Sequence, residues 1–175
     1  TNTTVGNVLM SIFTAIAGSS PGAGTITITR TAGVMNTYWS STYLQISGQT
    51  TSATYLGATG SNSTVASNTS LSLTLSSTPN PNSLVIGGAI CDAGTSAITQ
   101  PSGWLELHDI SHGAGSVQFE SAYVRRISDT NLIWSTFTAG AFAKIIVAVE
   151  ILTTSVYKPI NRGLRPYPFS PGLAR

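Results

Sequence analysis

Three features of this chain predict an all-β protein, an antiparallel jelly-roll-like β-sandwich that ends in an extended, proline-rich basic arm. First, 24 serines and 25 threonines stand against 14 charged residues. Short hydroxyls at that density suit the outer faces of strands, whereas helix surfaces carry Glu and Lys. Second, apolar runs of strand length recur along the chain, and clusters of Gly, Pro, Asn, Asp and Ser separate them. Third, charge is segregated. Arg30 is the one charged residue before Asp92, while Lys158 to Arg175 hold four cations, no acid and four of the eight prolines.

In chain order the predicted strands are Val8–Ala17, Thr25–Arg30, Thr37–Ser47, Thr69–Leu75, Ser83–Cys91, Trp104–Ile110, Ser116–Arg126, Asn131–Thr138 and Phe142–Leu152. GSSPGAG, TPNPN, DAGTS, PSG, SHGAG and ISDTN lie between them and supply the positive-φ and Asx-turn chemistry that reversals need. In TITITR the isoleucines Ile26 and Ile28 share one face, and in SLSLTLS so do Leu71, Leu73 and Leu75. Both read as half-buried strands with a hydroxyl-covered outer face. Ser83–Cys91 and Phe142–Leu152 are apolar throughout and belong at the centre, or under a neighbouring subunit. The predicted core is Ile26, Ile28, Leu71, Leu73, Leu75, Val85, Ile145, Val147 and Val149. Asn7–Gly18 echoes Asn82–Gly94, and Thr25–Ser47 echoes Asn131–Thr153, an order that suggests two Greek-key halves. About nine strands at this spacing make a sandwich.

The chain therefore divides into a body, 1–157, and an arm, 158–175. The body holds Arg30, Arg125, Arg126 and Lys144 against six acids, a net charge of −2, and so has no nucleic-acid-binding surface. No run approaches the roughly 18 apolar residues of a membrane span, and TNTTVGN at the start lacks the basic n-region of a signal peptide. The single cysteine, Cys91, excludes an internal disulfide and reads as a small buried hydrophobe.

Little in the chain points to catalysis. Glu106, His108, Asp109, His112 and Glu120 form the densest polar cluster, and on a regular strand Glu106 and His108 would share a face. Their spacing matches no zinc signature, so polar residues at a strand end are expected, with no metal and no cofactor. There is no G-x-S-x-G, and a cysteine in an apolar strand is a poor nucleophile. PGAG and SHGAG lack the lysine and helix of a phosphate loop. Sequons at Asn2, Asn62 and Asn68 matter only in a secreted eukaryotic protein.

Two sets of residues carry binding potential. In the arm, Lys158, Arg162, Arg165 and Arg175 alternate with Leu164, Tyr167, Phe169 and Leu173. An extended segment of this kind plugs apolar side chains into pockets while its guanidiniums pair with acids. Its prolines forbid a helix or an inner strand. The second set is aromatic: Tyr38, Trp39, Tyr43 and Trp104 could stack on a sugar, although core plugs and subunit contacts are the commoner use of such rings.

The body, with GWLELHDISHGAGSVQFESAYVRRI leading through a TAG corner into KIIVAVEIL, is similar to the jelly-roll modules of tailed-bacteriophage capsid decoration (cement) proteins and fibres. The closing NRGLRPYPFSPGLAR resembles the short basic arms by which such proteins attach. The resemblance implies a non-enzymatic virion protein on the capsid surface, bound to the major capsid protein and to copies of itself, contacting neither nucleic acid nor membrane. A fibre, receptor-binding or carbohydrate-binding jelly-roll module is the alternative it leaves open, with any glycan contact at the aromatics.

Overall fold

A computed structural model describes residues 2–5, 8–16, 27, 40–46, 54–94, 97–112, 117–125 and 127–153. Among them there are nine strands and no helix: β1 (Asn2–Val5), β2 (Val8–Ser11), β3 (Leu56–Thr64), β4 (Ser70–Thr74), β5 (Leu84–Cys91), β6 (Leu105–His112), β7 (Val117–Arg125), β8 (Asn131–Ser135) and β9 (Lys144–Ile151). β3-β9-β5-β7-β6 form a five-stranded sheet, and β4-β8 and β1-β2 form two-stranded ones. Every described strand pair is antiparallel.

The pairing from β3 onward is nested: β3 with β9, β4 with β8, β5 with β7. A long antiparallel ribbon has thus been folded over on itself, with alternate pairs falling in opposite sheets, which is the winding of a jelly roll. A bridge from Thr99 to Ser135 extends the β4-β8 sheet by one more contact. Of the two echoed pairs, β2 lies in an outer hairpin while its echo β5 lies at the sheet centre; most of Thr25–Ser47 lies outside the described residues.

The uniformly apolar character of β5 and β9 has a direct cause. Both faces of the large sheet are covered, and all eight residues of β9 are buried. On one side Leu71, Leu73 and Leu75 with Leu132 and Trp134 pack over Val85, Ala89, Ala122, Ile146 and Ala148. On the other, Val8 and Met10 of the β1-β2 hairpin cover Ile145 and Val147, while Leu44 and Ile46 cover Leu84, Val149 and Ile151. Gly87 and Gly88 make the two close approaches possible. A Cβ on Gly87 would lie 2.8 Å from the Trp134 ring, and one on Gly88 would collide with Met10 Cε.

Leu71, Leu73, Leu75, Val85, Ile145, Val147 and Val149 are all buried as expected; Ile26 and Ile28 lie outside the described residues. Other expectations need correction. The strand from Val8 stops at Ser11 instead of Ala17. Residues 40–46 are not a strand; Thr42 Oγ1 instead meets Ser121 Oγ at 2.9 Å while Leu44 and Ile46 pack downward. β3 carries no apolar alternation, because Gly57 lies against the Glu150 carboxyl, Gly60 against Leu73 and the backbone at the end of β4, and the rest of its length is the largely solvent-facing SNST. Its place in the sheet comes from backbone pairing to β9.

Candidate functional site

The polar cluster expected on β6 is split by a β-bulge. Glu106 stands opposite Ala122, but His108 stands opposite the adjacent Ser121. The extra residue reverses the alternation, as bulges do, so Glu106 and His108 lie on opposite faces and not on one. His108 turns toward Phe119, with ring centroids 6.0 Å apart. Glu106 and Asp109 fall on the face that also carries Glu120 of β7. Among the described residues no three His, Cys, Asp or Glu side chains are placed to hold a metal ion; the side chain of His112 is outside what is described.

Glu120 is the unusual member. It is 0% exposed, and neither carboxyl oxygen has a hydrogen-bond partner. Burial, then the charges of Asp109 and Glu106, push its pKa up to about 8, against a smaller opposing effect of the Trp134 indole N–H. That N–H lies near enough to favour the anion but outside hydrogen-bond geometry. Glu120 is therefore a neutral acid at pH 7. A group of this kind could serve as a proton donor, but here it is sealed beneath Trp134. Asp109 is also raised, by burial first and Glu106 second.

The two other buried charges are fully engaged. Glu150 accepts the amides of Ala58 and Asn80, each at 2.7 Å, tying β3 and the loop before β5 to β9. Lys144 donates to the carbonyls of Ala66 at 2.9 Å and Gly140 at 3.0 Å, and lies 5.9 Å from the Phe142 ring centre. Both fasten corners where the chain crosses between sheets.

Of the candidate sugar-stacking residues, Tyr43 is 71% exposed. Trp104 is instead a core residue, 5% exposed and in a T-shaped contact with Trp134 at 5.5 Å; its burial leaves no open ring face for stacking on a sugar. Its edge reaches one wall of a shallow cleft of about 180 Å³ rimmed by Ser102, Asp129 and Asn131. Tyr38, Trp39 and the whole arm, from Lys158 through Arg162, Leu164, Arg165, Tyr167, Phe169 and Leu173 to Arg175, lie outside the described residues.

Sequence reasoning missed an apolar outer surface. Phe13 is 87% exposed and Leu9 58%, both on the N-terminal layer, and Leu105 and Ile133 are exposed on β6 and β8. The signal was present in VLMSIF, where Val8 and Met10 alternate with Leu9, so that covering one face necessarily turns Leu9 outward.

No protein-family model matches the chain, and no curated protein matches it. Among solved structures it is similar to the tripod (BppUct-A-L) from the baseplate of bacteriophage Tuc2009, at 15% identity over 71% of this chain and 82% of that one, with a TM-score of 0.32. A likeness at that level carries no argument about this chain's role.

Proposed function

We propose that the chain is a structural virion protein that decorates and stabilises a phage capsid, with its Lys158–Arg175 arm docking on neighbouring subunits, and that it has no enzymatic activity. The observation that carries this reading is where its polar and apolar groups lie. The buried charges of the body are directed inward to hold loops, while Phe13 and Leu9 are left on the outer face of a covering layer. Exposed apolar side chains on a rigid sandwich are interface material, and a sandwich with few charges buries such an interface at low desolvation cost. An arm that reaches across a seam adds avidity without a second large interface.

The test is made on purified full heads. Stoichiometric copies on the capsid lattice, lost when 158–175 are deleted, support the proposal. Copies confined to a tail or fibre, or absent from virions, overturn it. The exposed ring of Tyr43 favours the fibre or carbohydrate-binding alternative; glycan binding by the body, abolished by Tyr43→Ala, would move the function there.

A further inference from the structure

β6 closes one side of the five-stranded sheet. It pairs with β7, and among the described residues no strand pairs with its outer edge. The sheet's other terminal strand is differently placed. The outer side of β3 is occupied by β4 and the residues just after it, through Ser76 N–H to Thr59 O at 2.9 Å and Asn62 Nδ2 to Ser72 O at 2.6 Å. The β6 edge is bulged and acidic, with Glu106 exposed and Asp109 half-buried. Both features discourage a second β6 from pairing with it, since two such edges would set like charges together. A cationic strand has no such obstacle.

The arm's prolines are arranged for one-sided pairing. In an extended segment the amides of alternate residues point to the same side. Pro166 and Pro168 have the same parity and fall on one side. Gly163, Arg165, Tyr167 and Phe169 have the other, and each keeps its amide proton. Pro159 and Pro171 share the parity of these donors and so end the ladder at both extremities. Residues 160–170 can thus form a strand that pairs along one side only, which is the condition under which proline is tolerated in a sheet.

We propose that residues 160–170 of one copy add as an antiparallel strand to the outer edge of β6 in a second copy. The inference rests on the docking-arm reading and names the surface the arm occupies. Charge complements it: Arg162 and Arg165 differ in parity, so whichever face of the added strand continues the sheet face of Glu106 and Asp109, one guanidinium lies on it. Direction selects a second copy over the arm's own body. β9 ends at Ile151, level with Leu84, and Leu84 is level with Arg125 near the point where β6 begins at Leu105. An arm coming from its own β9 would meet β6 at its start and run parallel to it, in a protein whose described pairs are all antiparallel. The arm of another copy can enter from the His112 end.

Sedimentation equilibrium of the full-length protein tests this through parity. Gly163→Pro removes an amide on the pairing side and should abolish self-association, whereas Ser170→Pro adds a proline on the solvent side and should leave it intact. Glu106→Arg should weaken self-association, and the triple variant Glu106→Arg, Arg162→Glu, Arg165→Glu should restore it. Unchanged thermal melting in each variant keeps loss of assembly separate from loss of fold. A monomeric wild type, or equal behaviour of the two proline variants, overturns the inference. If Gly163→Pro self-associates normally but no longer attaches to capsids, this edge is wrong while the docking arm stands. If deleting the arm changes neither property, both fall.

Discussion

On one face of the five-stranded sheet the β1-β2 hairpin and residues 40–46 lay down Val8, Met10, Leu44 and Ile46, and among the described residues no buried charge points that way. The opposite face, beneath β4 and β8, takes all three buried ionisable side chains among the described residues: Glu120, Lys144 and Glu150. The difference follows from what each cover must do. The hairpin and the 40–46 segment need only exclude water, which apolar contact achieves. The β4-β8 layer is joined to the large sheet by crossing loops, and the buried side chains of Glu150 and Lys144 reach outward to hold them, Glu150 through the Asn80 amide and Lys144 through the Ala66 and Gly140 carbonyls, while Glu150 also takes the buried Ala58 amide of β3. Glu120 stands apart, a buried acid with no such partner.

The largest effect should come from putting a charge on the apolar face. Val147→Asp buries an unpaired carboxylate among Val8, Met10 and Ile145, and should cost several kcal/mol, enough to unfold the domain. Absence of cooperative melting by circular dichroism checks it. On the charged face, Glu150→Ala orphans the buried amide of Ala58 and releases the Asn80 amide of an exposed loop, and should cost about 2 kcal/mol. Glu150→Gln keeps an acceptor and should cost less, as urea titration would show.

Glu120 should behave in the opposite sense. Its folded pKa lies above the unfolded value, so between about pH 4.5 and about pH 8 the native state holds a proton that the unfolded chain releases. Stability should therefore fall as pH rises through that window, by at most about 1.4 kcal/mol per pH unit, and level off above it. Asp92 and Asp109, also raised by burial, contribute in the same direction at lower pH. Glu120→Gln should flatten the slope and raise the melting temperature at neutral pH. A slope that survives the substitution would mean that Glu120 is not the group titrating. The smallest effect belongs to His108→Ala, which loses one packing contact with Phe119 and should cost no more than about 1 kcal/mol, with no metal released.

Residues whose environment repeats along the chain are legible in the sequence alone. The alternation at Leu71, Leu73 and Leu75 and the unbroken apolar runs of β5 and β9 express one-sided and two-sided burial directly. β3 is not legible, because its strand state is imposed by the β9 backbone against its own glycines and polar residues. Nor is the separation of Glu106 from His108, since a one-residue bulge leaves no mark in composition or period. The ionisation of Glu120 depends first on its burial and then on Asp109 and Glu106 from the next strand, surroundings that only folding assembles.

The proposal that the body folds on its own while the arm confers attachment is tested most directly by comparing the full chain with residues 1–157 in one capsid co-sedimentation and melting experiment. The truncated protein should melt cooperatively at the temperature of the full chain and remain in the supernatant while the full chain pellets with capsids. Truncated protein that pellets at wild-type occupancy would contradict it.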